Sequence, residues 1–217
     1  MNSEPTKRSF IRAIVLLTLG LFSRTAVASS EADFWRWFQA HDKMLFDFES
    51  NQEAVFDQLG ARMHAVNASL TFEFGPKQNG QREFVISANG NRAAFPNVEK
   101  LFAAAPPLER WKIIKFRPRR EALDISYAGL TVKADSVTVV IERDGPKAAL
   151  IVLLPGYSQA EHDAYGGIAF LLLDQALGEF DVETRVGGVD FAAPSARYSK
   201  AIPLKDLPRA FDAFFSQ

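Results

Sequence analysis

Two stretches of period-two alternation, each folded back on itself at a glycine turn, do most to limit what this chain can become. In the first, Leu70, Phe72 and Phe74 fall on one side of a strand while Thr71 and Glu73 fall on the other. Lys77-Gln78-Asn79-Gly80 follows, and Asn-Gly is the strongest short hairpin signal, so a partner strand is expected over 82–88. In the second, Val137, Val139 and Ile141 alternate with Thr138, Val140 and Glu142. Asp144-Gly145-Pro146 turns the chain into a continuous apolar run over 148–154, the pattern of a central strand.

Each hairpin leads into a helix and a further strand. After the first come a short helix over 96–104, a Pro106-Pro107 stop and a strand over 111–116. After the second, Ser158-Gln159-Ala160-Glu161 reads as a capping box opening a helix that runs to Gly178. Phe180, Val182, Thr184 and Val186 then alternate with Asp181, Glu183 and Arg185, which predicts a strand. The order is thus ββαβ twice. A strand over 123–133 joins the halves, and a helix over 204–215 ends the chain. Two helices come first: Ser30-Glu31-Ala32-Asp33 opens one over 30–49, and Ser50-Asn51-Gln52-Glu53 opens one to about Val66, with Val55, Leu59, Met63 and Val66 as its apolar stripe. The expected class is α+β, a largely antiparallel sheet with helices on one face. Nothing between 29 and 217 reads as a linker, so one domain is expected.

The start of the chain reads as an export signal. Lys7, Arg8 and Arg12 precede a ten-residue apolar run, AIVLLTLGLF, too short to span a hydrocarbon core of ~30 Å, and Ala26-Val27-Ala28 supplies a cleavage site after Ala28. The expected location is periplasmic or secreted, with no stable membrane anchor once residues 1–28 are removed. General secretion is the expected route. Thr6-Lys7-Arg8-Ser9-Phe10-Ile11-Arg12 keeps the twin-arginine route open, with Lys7 in place of the first arginine.

Composition then excludes several chemistries. There is no cysteine, hence no disulfide, thiolate metal site or thiol nucleophile, and the core alone must stabilise the fold. The net charge of −1 includes a leader holding four basic residues and one acid. Its loss removes +3 and leaves about −4, unlike a nucleic-acid binder. Nineteen phenylalanines imply a ring-built core or an apolar surface that a partner covers.

The blocks Phe34-Trp35-Arg36-Trp37-Phe38, Leu70-Thr71-Phe72-Glu73-Phe74-Gly75-Pro76 and Trp111-Lys112-Ile113-Ile114-Lys115-Phe116-Arg117-Pro118-Arg119 resemble those of a family of uncharacterised bacterial proteins. The resemblance implies a single domain and assigns no activity or residue role.

Four groups are candidates for a site. Arg117, Arg119 and Arg120 follow a strand. In extended backbone Arg117 and Arg119 would project to one side and grip a carboxylate or phosphate, or else pair with the acidic excess elsewhere. His162 lies in a turn beside a helix start, where it would act as a base, although Glu161 and Asp163 there need only complement the helix dipole. His41, His64 and His162 are the only histidines and show no ligand spacing, so no metal and no cofactor are expected. Ser158 lacks the second glycine of a nucleophile elbow, and Gly166-Gly167 reads as close helix packing. Finally, rings surround the first helix, so Trp35 and Trp37 lie at a rim or dock a protein partner or second copy. The leading expectation is a non-catalytic protein-binding or self-associating domain. The alternative is a small hydrolase or anion-binding protein using Arg117, Arg119 and His162 in one pocket.

Overall fold

The computed structural model describes residues 29–216, so the expected leader and its cleavage site lie outside the described residues. The chain begins with α1 (Ser30–Ala40), whose N-cap is Ser29, one residue earlier than expected; its hydroxyl accepts from the Ala32 amide. The expected single helix over 30–49 is broken. His41 interrupts it, α2 (Asp42–Phe46) follows, and a 3₁₀ turn covers Phe48–Ser50. The break answers the problem of rings all round the helix. A straight helix cannot bury them on one surface, whereas the bend buries Phe34, Trp35 and Phe38 along with Leu45 and Phe46. Next, α3 (Gln52–Val66) buries Val55, Leu59 and Met63 as its spacing predicts.

The first sheet is β1 (Thr71–Gln78), β2 (Gln81–Ser87) and β3 (Trp111–Lys115), in the order β1-β2-β3. β1 and β2 pair antiparallel through Asn79 and Gly80, both left-handed with φ of 51° and 77°, as a tight hairpin requires. After α4 (Phe95–Ala103), β3 pairs parallel to β2. Phe74, Phe84 and Trp111 join α1, α3 and α4 in an aromatic core. Glu73 and Glu83 alternate with them and face the other way.

The second half repeats this order. β6 (Thr138–Asp144) and β7 (Lys147–Leu153) pair antiparallel, α5 (His162–Leu177) crosses over, and β8 (Val186–Ala192) pairs parallel to β7; these follow a short hairpin of β4 (Ile125–Tyr127) and β5 (Leu130–Val132). β9 (Ile202–Pro203) completes the order β8-β7-β6-β9, and α7 (Leu207–Phe215) closes the described chain. α5 and α7 cover one face of this sheet through Leu150, Val152, Leu172 and Phe211. The fold is therefore α+β with two ββαβ halves and helices on one face of each large sheet. The strands are divided among three sheets, with antiparallel pairs in the majority.

Two expectations need correcting. Residues 180–186 are not a strand: α6 (Glu179–Arg185) occupies them and β8 starts at Val186. Gly178, at φ 78° and ψ 151°, ends α5 and lets the chain begin a new helix, and a Cβ there would meet the Arg117 carbonyl at 3.0 Å. Glu179 and Val182, three apart, then point inward together. Residues 123–133 are not one strand either. They form the β4–β5 hairpin, turned at Ala128 and Gly129 with φ of 51° and 81°.

Candidate functional site

The two halves meet where the chain leaves β3. Phe116 takes a left-handed φ of 61°, unusual for a bulky residue, with its ring held against Phe95 at 4.5 Å. The turn sends residues 117–120 across the polar side of the first sheet, and each arginine there is met by internal acceptors. Arg117 Nε donates to Glu73 at 2.6 Å and its Nη2 to Asn89 at 2.8 Å, while Nη1 stands 3.6 Å from Asp174. Arg119 donates to the last carbonyl of α5, Leu177 O, at 3.0 Å, to Asp181 at 2.6 Å, and to both oxygens of Asp212 at 2.8 Å. These carboxylates raise its pKa further. Arg120 donates to Glu83 at 2.8 Å. The expected same-side projection of Arg117 and Arg119 does not occur: one serves the first sheet, the other ties α5, α6 and α7 together. All three guanidiniums are ion-paired within the chain, as the acidic excess allowed.

Glu179 fixes the seam from the opposite side. Its carboxylate, fully buried, accepts from the amides of Ala88 at 3.0 Å, Gly90 at 3.1 Å and Arg117 at 3.1 Å. Thus a residue of the second half satisfies three backbone donors of the first half and its exit, groups that burial would otherwise leave unpaired.

A cleft of about 330 Å³ opens beside this seam, with Glu73, Arg117, Leu123, Leu171, Asp174 and Gln175 in its walls. Burial pushes the Asp174 carboxyl up to about 6, against the pull of Arg117 and reinforced by Glu179, Glu183 and Glu73. Glu183 is raised as well, chiefly by its own burial and then by Glu179. The seam is a place where carboxylates crowd one another. The cleft wall continues outward into apolar surface. Leu123 is 67% exposed, and Tyr127, Phe170 and Leu171 are each more than 40% exposed. Phe170, Leu171 and Gly167 share one side of α5, and the Tyr127 ring lies over Gly167, where a Cβ would come within 2.7 Å.

The other sequence candidates fall elsewhere. His162 sits at the opposite end of α5, its Nδ1 2.9 Å from the Tyr157 hydroxyl and its ring 5.5 Å from that of Phe191. From His162 to Leu177, which Arg119 touches, the helix rises about 22 Å. Arg117, Arg119 and His162 therefore do not converge, and the pocket required by the hydrolase alternative is not formed. Trp35 is buried and donates from Nε1 to Leu101 O at 2.8 Å, so it is a core residue and not a rim one. Trp37 is half-buried, stacked on His41 at 4.6 Å, with Arg62 over its ring at 5.5 Å. His64 is exposed on α3. Among the described residues, no cluster of three or more metal-ligating side chains occurs and no helix is long and apolar enough to cross a membrane.

Sequence reasoning missed Asp174, Glu179 and the apolar face of α5. One signal for the last was present: residues 164–173 (AYGGIAFLLL) are apolar on every side of a helix, and such a helix requires cover all round. Comparison with protein-family models, curated proteins and solved structures found no match to this chain.

Proposed function

We propose that this chain works outside the cytoplasm, after removal of residues 1–28, as a non-catalytic domain that binds protein. The observation that carries the reading is the apolar face formed by Leu123, Tyr127, Phe170 and Leu171 beside the seam. Singly exposed apolar residues are ordinary, but neighbouring ones on a single helix side and its overlying hairpin mark a contact surface. This moves the expected contact from α1, whose rings are used internally, to α5. The arginines support the same reading, since groups already neutralised by Glu73, Glu83, Asp181 and Asp212 offer little to an anionic substrate.

Crosslinking in intact cells tests it. The native chain should form protein adducts in the exported fraction, and Phe170→Lys with Leu171→Lys should lose most of them while the chain still accumulates. A native chain that yields no adduct, or stays in the cytoplasm, overturns the reading.

A further inference from the structure

Resting on the protein-binding reading above, the chemistry of the partner can be read from the cleft beside the apolar face. Its walls carry Glu73, Arg117, Arg120, Glu121 and Asp174 around a space of about 330 Å³. Both arginines are already occupied within the chain, Arg117 by Glu73 and Asn89, Arg120 by Glu83. Asp174 is not. Only a quarter of its side chain meets solvent, yet among the described residues no hydrogen bond reaches its carboxylate, and Arg117 Nη1 stops 3.6 Å short of Oδ2. The other charges that act on it are Glu73 from β1 and Glu179 and Glu183 from α6, all of its own sign. With burial they outweigh Arg117 and push its pKa up to about 6. Glu121, exposed at the mouth, adds a further negative charge. A carboxylate kept in a cleft at a cost to the fold, with the surrounding potential against it, is the kind of group that binding retains.

We propose that this cleft receives a lysine side chain of the partner protein, its ammonium on Asp174 and its methylene stem along Leu123 and Leu171. Other occupants fit less well. An anion would find both guanidiniums taken. A wholly apolar group would leave Asp174 desolvated with no counter-charge. A divalent cation needs several oxygen ligands, and among the described residues no cluster of three or more ligating side chains occurs. Between the two basic side chains, lysine suits the site better. Arg117 already stands beside Oδ2, so one oxygen of Asp174 is left open. An ammonium needs a single acceptor, whereas a guanidinium fork takes both oxygens of a carboxylate. The stem also has its cover: Leu123 and Leu171 line the cleft and continue outward into Tyr127 and Phe170. Apolar residues next to the lysine on the partner would rest on those two rings.

The probe is n-butylammonium, a lysine side chain cut free of its backbone. Titrated into the purified chain, it should give saturable amide shifts at Leu123, Asp174 and Gln175, and butyrate should give none. Asp174→Asn should weaken that binding about tenfold or more. In the native chain the affinity should also fall about tenfold from pH 7.5 to pH 5, as Asp174 takes up its proton, and in the variant it should not. In cells Asp174→Asn should lose most of the crosslinked adducts while resisting urea at least as well as the native chain, a pairing that a purely structural aspartate would not show. No saturable shift, or equal binding of butyrate, overturns the lysine site. Binding of n-butylammonium with adducts untouched by Asp174→Asn makes a free amine the ligand and overturns it too. If Asp174→Asn keeps its adducts while Phe170→Lys with Leu171→Lys loses them, protein binding stands and the lysine falls; if the native chain forms none, both readings fall.

Discussion

The two halves share one topology and are filled with different chemistry. In the first, Phe84 is ringed by Phe34, Trp35, Phe38, Phe72, Phe74 and Trp111 at 4.9–6.4 Å. In the second, the corresponding space holds Val139, Leu150, Val152, Ile168, Leu172 and Leu173. The hairpin turn, the crossover helix and the parallel third strand are set by backbone pattern, and the core then needs only apolar residues of suitable volume. The difference lies in what is left outside. The aromatic half wraps its rings inside bent helices. The aliphatic half relies on a helix apolar all round and leaves one side of it in water.

Truncating each centre should break the comparison most strongly. Phe84→Ala removes a fully buried ring from a cluster that cannot close over the gap, and should cost about 4 kcal/mol and most of the near-ultraviolet aromatic signal. Leu172→Ala should cost about 3 kcal/mol and leave that signal largely intact. Urea unfolding with circular dichroism reads both. Equal loss of signal in the two variants would mean that the cores are not chemically separate.

The seam comes next in size. Glu179→Ala would orphan three amides of Ala88, Gly90 and Arg117 and should cost about 3 kcal/mol, while Glu179→Gln keeps an acceptor oxygen and should cost distinctly less. Hydrogen exchange at Ala88 should quicken in the alanine variant. An alanine variant as stable as the native chain would show that something other than this carboxylate joins the halves.

What the sequence made readable follows the same division. The hairpins were legible because Asn79-Gly80 and Gly145 carry positive φ values that few other residues accept. The break at His41 and the Ala128-Gly129 turn were not, since neither has a strong local signal. The most consequential miss was α6. Phe180, Val182, Thr184 and Val186 alternate like a strand, yet the chain is helical there, started at Gly178 and anchored by Glu179 across the seam. Reading a strand at 180–186 displaced β8, which runs from Val186 to Ala192. The arginines were easier: surplus acid in the composition pointed to ion pairs, though not to which carboxylates form them.

Acid should separate the two regions in opposite senses. In the first half Glu49, hydrogen-bonded to Arg82, is held down to about 2, and Asp47 and Glu83 are lowered by their basic partners. Groups lowered in this way favour the fold above their unfolded pKa and lose that contribution as pH falls through the folded value. Asp174 at the seam has the reverse shift, from 3.8 to about 6. Its contribution is fully present below about pH 4 and lost as pH rises through 6, because the folded state then holds a buried charge that the unfolded chain solvates. After discounting for the quarter of the side chain that meets solvent, the loss between pH 4 and 7.5 is about 2 kcal/mol. Asp174→Asn should therefore stabilise the chain at pH 7.5 and do little at pH 4, flattening this part of the stability profile. Protection factors at the seam amides, with the intrinsic pH dependence of exchange divided out, should rise on mild acidification in the native chain and stay level in the variant. If Asp174→Asn destabilises the chain at pH 7.5, the contact with Arg117 outweighs burial, and the seam is held by the same kind of ion pair as the surface of the first half.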